Sequence, residues 1–329
     1  FYRQLVEQLK LLWLNLHKKN LYSYRSIPNL LELANRFGKE SVIASDIKDD
    51  CPKLLAGYHY VQLNVLDDAA LRNIVSQEGV TEIYLLAALL SATAEKDPKF
   101  AWKLNMDGLF NVLDLAKEGQ LKKVFWPSSI AVFGPTTPKQ DTPQQTVMEP
   151  STVYGISKQA GEQWCAYYHE KYGVDVRSIR YPGLISYSSL PGGGTTDYAV
   201  DIFYHAKENG TYTSFLAEDT ALPMLFMEDA IRATIELMEA PAENIKTRTS
   251  YNLAGISFTP NELAAEIQKH IPNFTIDYAP DERQAIAASW PGSIDDSVAA
   301  KEWGWQKKYD LEKLVDVMLE NVDPKMIFG

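Results

Sequence analysis

The amino-acid sequence predicts an α/β fold: a doubly wound parallel sheet with a smaller α/β lobe. Three observations lead there. Short apolar runs alternate with longer stretches of helical periodicity through the first half of the chain. One of those runs, residues 81–88, is apolar nearly throughout, as a strand covered by helices on both faces must be. The chain also has 329 residues, 46% of them apolar and 23% charged, too apolar for a disordered polymer and long enough for two lobes.

Taken in order, residues 41–47 (SVIASDI) read as a strand closing on an acid, and residues 58–65 (YHYVQLNV) as the next. Residues 81–88 (TEIYLLAA) form a nearly unbroken apolar strand. Residues 122–127 (KKVFWP) and 175–181 (DVRSIRY) supply two more. Helical patterns cover 69–77, 99–118 and 153–172. This alternation predicts parallel crossovers, with ligands at the carboxyl ends of the strands. After residue 181 the pattern changes. Residues 184–223 are rich in Gly, Ser, Thr and Tyr and include the loop PGGGTTD (191–197). A helix over 227–238 and a strand over 250–254 follow. The tail, 259–322, carries helices and the loop IAASWPGSIDD (286–296).

The composition excludes several functions. A formal charge of −11 argues against nucleic-acid or anionic-membrane partners. Cys51 and Cys165 make neither a disulfide framework nor a zinc spacing, so a reducing cytoplasm is the default. The apolar run at 84–90 is too short to span a bilayer. The run at 9–16 is followed by His17, Lys18 and Lys19 without a small-residue cleavage site, and is not read as a signal peptide. The five histidines are scattered and are assigned no chemistry. The acidic pairs Asp49/Asp50, Asp67/Asp68 and Asp295/Asp296 lack metal-ligand spacing and read as caps or solvated faces.

One constellation carries chemistry. Tyr154 and Lys158 lie four apart on a predicted helix and share one face. A phenol titrates near ~10, and a neighbouring ammonium favours its phenolate, so the pair can act as a general base. Alone such a spacing is weak evidence. Here Ser129 follows the preceding strand, in PSSIAVFG, and Tyr181-Pro182-Gly183 follows the next strand. A serine hydroxyl there can hydrogen-bond the same reacting oxygen, and a rigid Pro-Gly corner can present backbone groups to a flat amide.

With PSSIAVFG, YGISK and RYPG, the chain resembles the extended short-chain dehydrogenase/reductase family. LLAALLSATAE, FAWKLNMDGLFNVLDLAKE, PGGGTTDYAVDIFYHA and ASWPGSIDDS sharpen the likeness to its short-chain-type bacterial L-threonine 3-dehydrogenases, relatives of UDP-galactose 4-epimerase. The similarity runs from about residue 42 to about residue 322. It implies a Rossmann-like sheet, with residues 1–183 plus 224–256 binding the dinucleotide and residues 184–223 plus 257–329 forming the substrate lobe. It implies NAD-dependent oxidation of L-threonine to 2-amino-3-oxobutyrate. Tyr154 would be the base, Lys158 would hold the nicotinamide ribose, and Ser129 would bond the substrate oxygen. Asp46 would take the adenosine ribose hydroxyls and repel a 2′-phosphate, favouring NAD over NADP. Asp67, Ala87, Ala88, Asn105, Tyr181 and Pro182 would line the cofactor groove. Ser91, Thr195, Thr196 and Trp290 would contact the amino acid. The helices at 99–118 and 153–172 would pair two copies into a homodimer.

The opening of the chain departs from that pattern. The family begins with a strand and a GxxGxxG turn whose amides meet the pyrophosphate. Here the first glycine is Gly38, and residues 1–28 match no family member. Residues 18–26 can be encoded by AAA AAA AAT CTT TAT AGT TAT AGG AGC. Read one base later, that string gives Lys-Lys-Ile-Phe-Ile-Val-Ile-Gly-Ala, the missing strand and glycine. A local frameshift would account for this, and an in-frame resequenced gene would exclude it. The sequence therefore predicts a sheet lacking a central strand, or a helix over 5–16 with an improvised strand over 20–26, and weak dinucleotide binding. Two alternatives stand beside the leading function. One is a nucleotide-sugar epimerase or dehydratase of the same fold. The other is a catalytically impaired remnant.

Overall fold

The computed structural model of the protein describes residues 11–14, 27–89, 91–188 and 190–328. The chain divides into two compact units. The first comprises Phe1–Ser128, Thr152–Ile179 and Thr234–Ser250, and the second comprises Ser129–Ser151, Arg180–Ala233 and Tyr251–Gly329.

Among the described residues of the first unit runs a six-stranded sheet. Across it lie His59–Gln62, Val42–Asp46, Leu11–Leu14, Glu82–Leu85, Lys123–Phe125 and Val176–Arg177. All neighbours are parallel. Val42–Asp46 and Glu82–Leu85 are buried at every position, which is why their sequences are not alternating. Helices Asp68–Glu78, Pro98–Lys117 and Val153–Tyr172 contribute Leu71, Val75, Leu104, Leu109, Cys165 and Tyr168 to the core around Leu12, Ile43 and Ile83.

The expected gap in the sheet is not there. Leu11–Leu14 (LLWL) is a strand, so a helix over 5–16 is excluded at those positions. Leu12 pairs with Ile43 on one side and with Ile83 on the other. The reason lies in the neighbours: without a strand here, two buried strand edges would carry unpaired amides and carbonyls, each costing about 1–3 kcal/mol. The improvised strand expected over 20–26 lies outside the described residues. A second correction concerns 175–181, which is two strands, Val176–Arg177 and Ile179–Tyr181, with a break at Ser178. There the Ser178 hydroxyl bonds that of Ser250.

The second unit has its own core, including Tyr198, Phe203, Leu216, Met224, Phe226 and Leu263. In it Gly183–Ile185 runs parallel to Leu222–Phe226, which pairs antiparallel with Ile256–Phe258, and Thr211–Ser214 runs parallel to Thr275–Tyr278.

Candidate active site

In the first unit the candidate catalytic pair, Tyr154 and Lys158, lies on helix Val153–Tyr172. Thr152 caps it by accepting from Gly155 N at 3.0 Å, and Gly173, at φ 72°, ends it in the left-handed conformation. Its buried stripe carries Lys158, Gly161, Glu162, Cys165 and Tyr168 at intervals of three and four. Two charged side chains therefore face inward. The Lys158 ammonium is 2% exposed. It donates to Pro127 O at 2.6 Å and sits 4.4 Å from the Trp126 ring centre and 5.6 Å from that of Tyr154. Burial pulls its pKa down to about 7. The ammonium and the half-buried phenol of Tyr154 thus share a face, as the spacing predicted.

Asn105 braces this helix. It donates to Ser157 Oγ at 3.0 Å and accepts from Leu89 N at 2.9 Å, tying the helix to the chain leaving strand Glu82–Leu85. Ser157 in turn donates to Tyr154 O at 2.8 Å. Asp46 ends its strand 7% exposed and accepts from Lys48 N at 3.0 Å. Ala87 is buried and Ala88 half-buried. Asp67 is exposed and caps helix Asp68–Glu78, accepting from Ala70 N at 3.0 Å. Ser91 opens the short helix Ser91–Ala94, and its side chain lies outside the described residues.

The second unit holds the remaining predicted residues. Ser129 Oγ accepts from Ala131 N at 3.2 Å and caps the turn Ile130–Val132. Tyr181 is half-buried and Pro182 buried. A side chain at Gly183 would come within 2.8 Å of Thr196 Cβ and Cγ2, so the glycine permits Thr196 to approach the strand. Thr195 is buried, and the loop that carries both threonines is fastened by Asp197, which is 2% exposed. Asp197 accepts from Gly192 N at 2.6 Å and from Gly194 N at 2.9 Å. Trp290 is half-buried and follows helix Glu282–Ser289. Lys139 grips that turn: its ammonium donates to Ser289 O at 2.6 Å and Trp290 O at 3.2 Å, and its carbonyl accepts from Gly292 N at 2.8 Å.

Sequence reasoning missed Glu162, Asp197 and Lys139. For Glu162 the signal was available, since it stands one turn beyond Lys158. The other two act on backbone atoms, which no side-chain pattern reveals. A cavity of about 310 Å³ lined by Ala254, Gly255, Asp296, Trp305, Gln306 and Lys307 contains none of the predicted residues. Its charged groups are engaged locally: Asp296 accepts from Trp305 Nε1 and Ala254 N, and Lys307 donates to Gly255 O.

Comparison with known proteins decides the family. A sequence model described as the NAD dependent epimerase/dehydratase family matches residues 29–254. The chain belongs to that family. Among relatives of this epimerase/dehydratase chain is an uncharacterized epimerase/dehydratase of Staphylococcus haemolyticus, 48% identical over 90% of this chain and 93% of that one. The mitochondrial L-threonine 3-dehydrogenase of Bos taurus is 47% identical over 87% of this chain and 77% of its own length. A solved structure, the holo form of a GalE-like L-threonine dehydrogenase from Cupriavidus necator, superposes with a TM-score of 0.90 at 55% identity, covering 95% of this chain and 99% of that one. The protein is an enzyme of this family, with dehydrogenases among its relatives. Among the described residues no helix is long and apolar enough to cross a membrane, and no group of three His, Cys, Asp or Glu is placed to hold a metal ion.

A dinucleotide is fitted unevenly by the residues present. The buried Asp46 carboxylate at a strand end suits ribose hydroxyls, and Tyr154 with Lys158 suits the other ribose. The glycine turn expected between the first strand and first helix is absent from the sequence. Residues 15–26 contain no glycine, and Gly38 follows helix Ile27–Phe37 instead of preceding it.

Proposed function

We propose that the protein oxidises L-threonine to 2-amino-3-oxobutyrate with NAD. The observation that supports this most is the buried Lys158 ammonium on the same helix face as Tyr154. A bound nicotinamide dinucleotide supplies the hydride acceptor. Tyr154 Oη takes the proton of the substrate's Cβ hydroxyl. Lys158 holds the phenolate form of Tyr154 and a ribose hydroxyl, and Ser129 bonds the substrate oxygen. Asp46 binds the second ribose and disfavours a 2′-phosphate. Asp67, Ala87, Ala88, Asn105, Tyr181 and Pro182 line the cofactor. Ser91, Thr195, Thr196 and Trp290 contact the amino acid.

The nucleotide-sugar reading needs cations for a diphosphate. Three cations of the second unit, Lys207, Arg232 and Arg283, are engaged elsewhere. Residues 184–223 contain no arginine, and Lys207 donates to Leu319 O and Val322 O. Arg232 pairs with Asp229 at 2.7 Å, and Arg283 with Asp281 at 2.5 Å. A small zwitterion suits this surface better. Supplied with NAD at high concentration, the protein should form NADH with L-threonine and leave UDP-glucose unchanged. Epimerisation of UDP-glucose without threonine turnover would reverse the assignment.

Dinucleotide affinity should be weak, because amide donors from a glycine turn are not encoded. Saturation of tryptophan quenching by micromolar NADH would contradict this. A homodimer is the expected assembly, through a face where Trp102, Ile156, Trp164, Tyr167 and Tyr172 are 40–45% exposed. Sedimentation of the wild type as a dimer and of Trp164→Glu as a monomer tests it. A monomeric wild type would refute it. We place the enzyme in the cytoplasm.

A further inference from the structure

Three consecutive residues leaving strand Lys123–Phe125 meet three residues of one buried helix stripe. Trp126 lies against Gly161 and beneath Lys158, Pro127 O accepts from Lys158 Nζ, and Ser128 Oγ donates to Glu162 Oε1 at 2.6 Å. Glu162 is 0% exposed and Lys158 is 2% exposed. A carboxylate buried so completely is costly unless hydrogen bonds and an opposite charge compensate it, and the same holds for the ammonium one turn earlier. Among the described residues, the other groups facing Lys158 do not supply that charge. Its own helix offers the phenol of Tyr154 and the thiol of Cys165, which burial keeps protonated. The 126–128 segment offers a ring, a carbonyl and a hydroxyl. Helix Pro98–Lys117 offers the neutral Asn105 through Ser157, while its Asp114 is bound to Tyr168 at 2.9 Å.

We infer that Glu162 is a positioning residue for Lys158: its buried carboxylate, fixed by Ser128, supplies the counter-charge that keeps the ammonium protonated beside Tyr154. The catalytic meaning of this pairing rests on the dehydrogenase reading above, whereas the pairing itself does not. Glu162, 0% exposed, acts through Lys158.

The test is the titration of Lys158 in the full chain, followed by NMR of labelled lysine side chains and assigned by the resonance lost in Lys158→Met. In Glu162→Gln the ratio of charged to neutral Lys158 at pH 7 should fall at least about tenfold. An unchanged titration in the folded variant would overturn the inference. If Glu162→Gln alone does not fold, the double variant Lys158→Met/Glu162→Gln decides. Recovery of a cooperative melt supports the pair, and continued failure to fold overturns it. Turnover of L-threonine is read separately: a shifted Lys158 with no turnover in the wild type would sink the dehydrogenase reading and leave this one standing.

Discussion

Gly161→Ala sets two opposed effects against each other, and the structure decides between them. Helix propensity alone favours the alanine by about 1 kcal/mol. Packing opposes it. A Cβ at Gly161 would come within 2.6 Å of Trp126 Cζ2, closer still to Cη2, and 3.2 Å from Leu109 Cδ2. The indole cannot swing aside, because it is 2% exposed and lies under the Lys158 ammonium. Overpacking of this kind costs about 1–3 kcal/mol, more than propensity returns. The net loss, about 2 kcal/mol at most, should lower the melting temperature by about 3 °C at most, given an unfolding entropy of about 2.1 cal/mol/K per residue over 329 residues. Gly108→Ala is the internal comparison. Its Cβ would meet a rotatable methyl, Val65 Cγ1, at 3.1 Å, so it should melt above Gly161→Ala. Calorimetry of the three proteins reads both effects. A Gly161→Ala protein as stable as the wild type, or more so, would refute the packing argument.

Two further perturbations follow from the same geometry. The Lys158 pKa is pulled down by burial to about 7, so the folded state binds fewer protons than the unfolded state from there up to the ordinary lysine value of 10.5. Wild-type stability should therefore rise relative to Lys158→Met as pH climbs through that window, by about 5 kcal/mol at most. A stability difference independent of pH in denaturant titrations would contradict this. Asp197→Ala removes the acceptor of two loop amides, worth about 1–3 kcal/mol. It should raise KM for L-threonine about tenfold with a smaller change in kcat, and an unchanged KM would free the loop of any role in substrate binding.

Much of the first unit was readable in advance, because its signals are local. The helical periodicity over 153–172 coincides with helix Val153–Tyr172, whose ends are a Thr152 cap and a left-handed Gly173. Strand Glu82–Leu85 announced itself as a continuous apolar run. Leu11–Leu14 was not readable, since four apolar residues fit a helix or a strand equally well. What makes them a strand is the pair of buried edges contributed by residues 42–46 and 82–85. The break at Ser178 was hidden for a similar reason: its partner, Ser250, is remote in sequence. Tyr154 and Lys158 stood out by spacing and by the motifs around them. Lys139 and Asp197 did not, because each works on backbone groups and leaves no periodic trace.

In the proposed reaction Tyr154, beside the buried Lys158, removes the hydroxyl proton of L-threonine as hydride leaves. Its most direct test compares the wild type with Tyr154→Phe, both confirmed as folded, under saturating L-threonine and NAD. The wild type should form NADH, and Tyr154→Phe should lose at least about a hundredfold of that rate, the scale of a positioned general base. Equal rates in the two proteins, or no threonine-dependent NADH in the wild type, would contradict it.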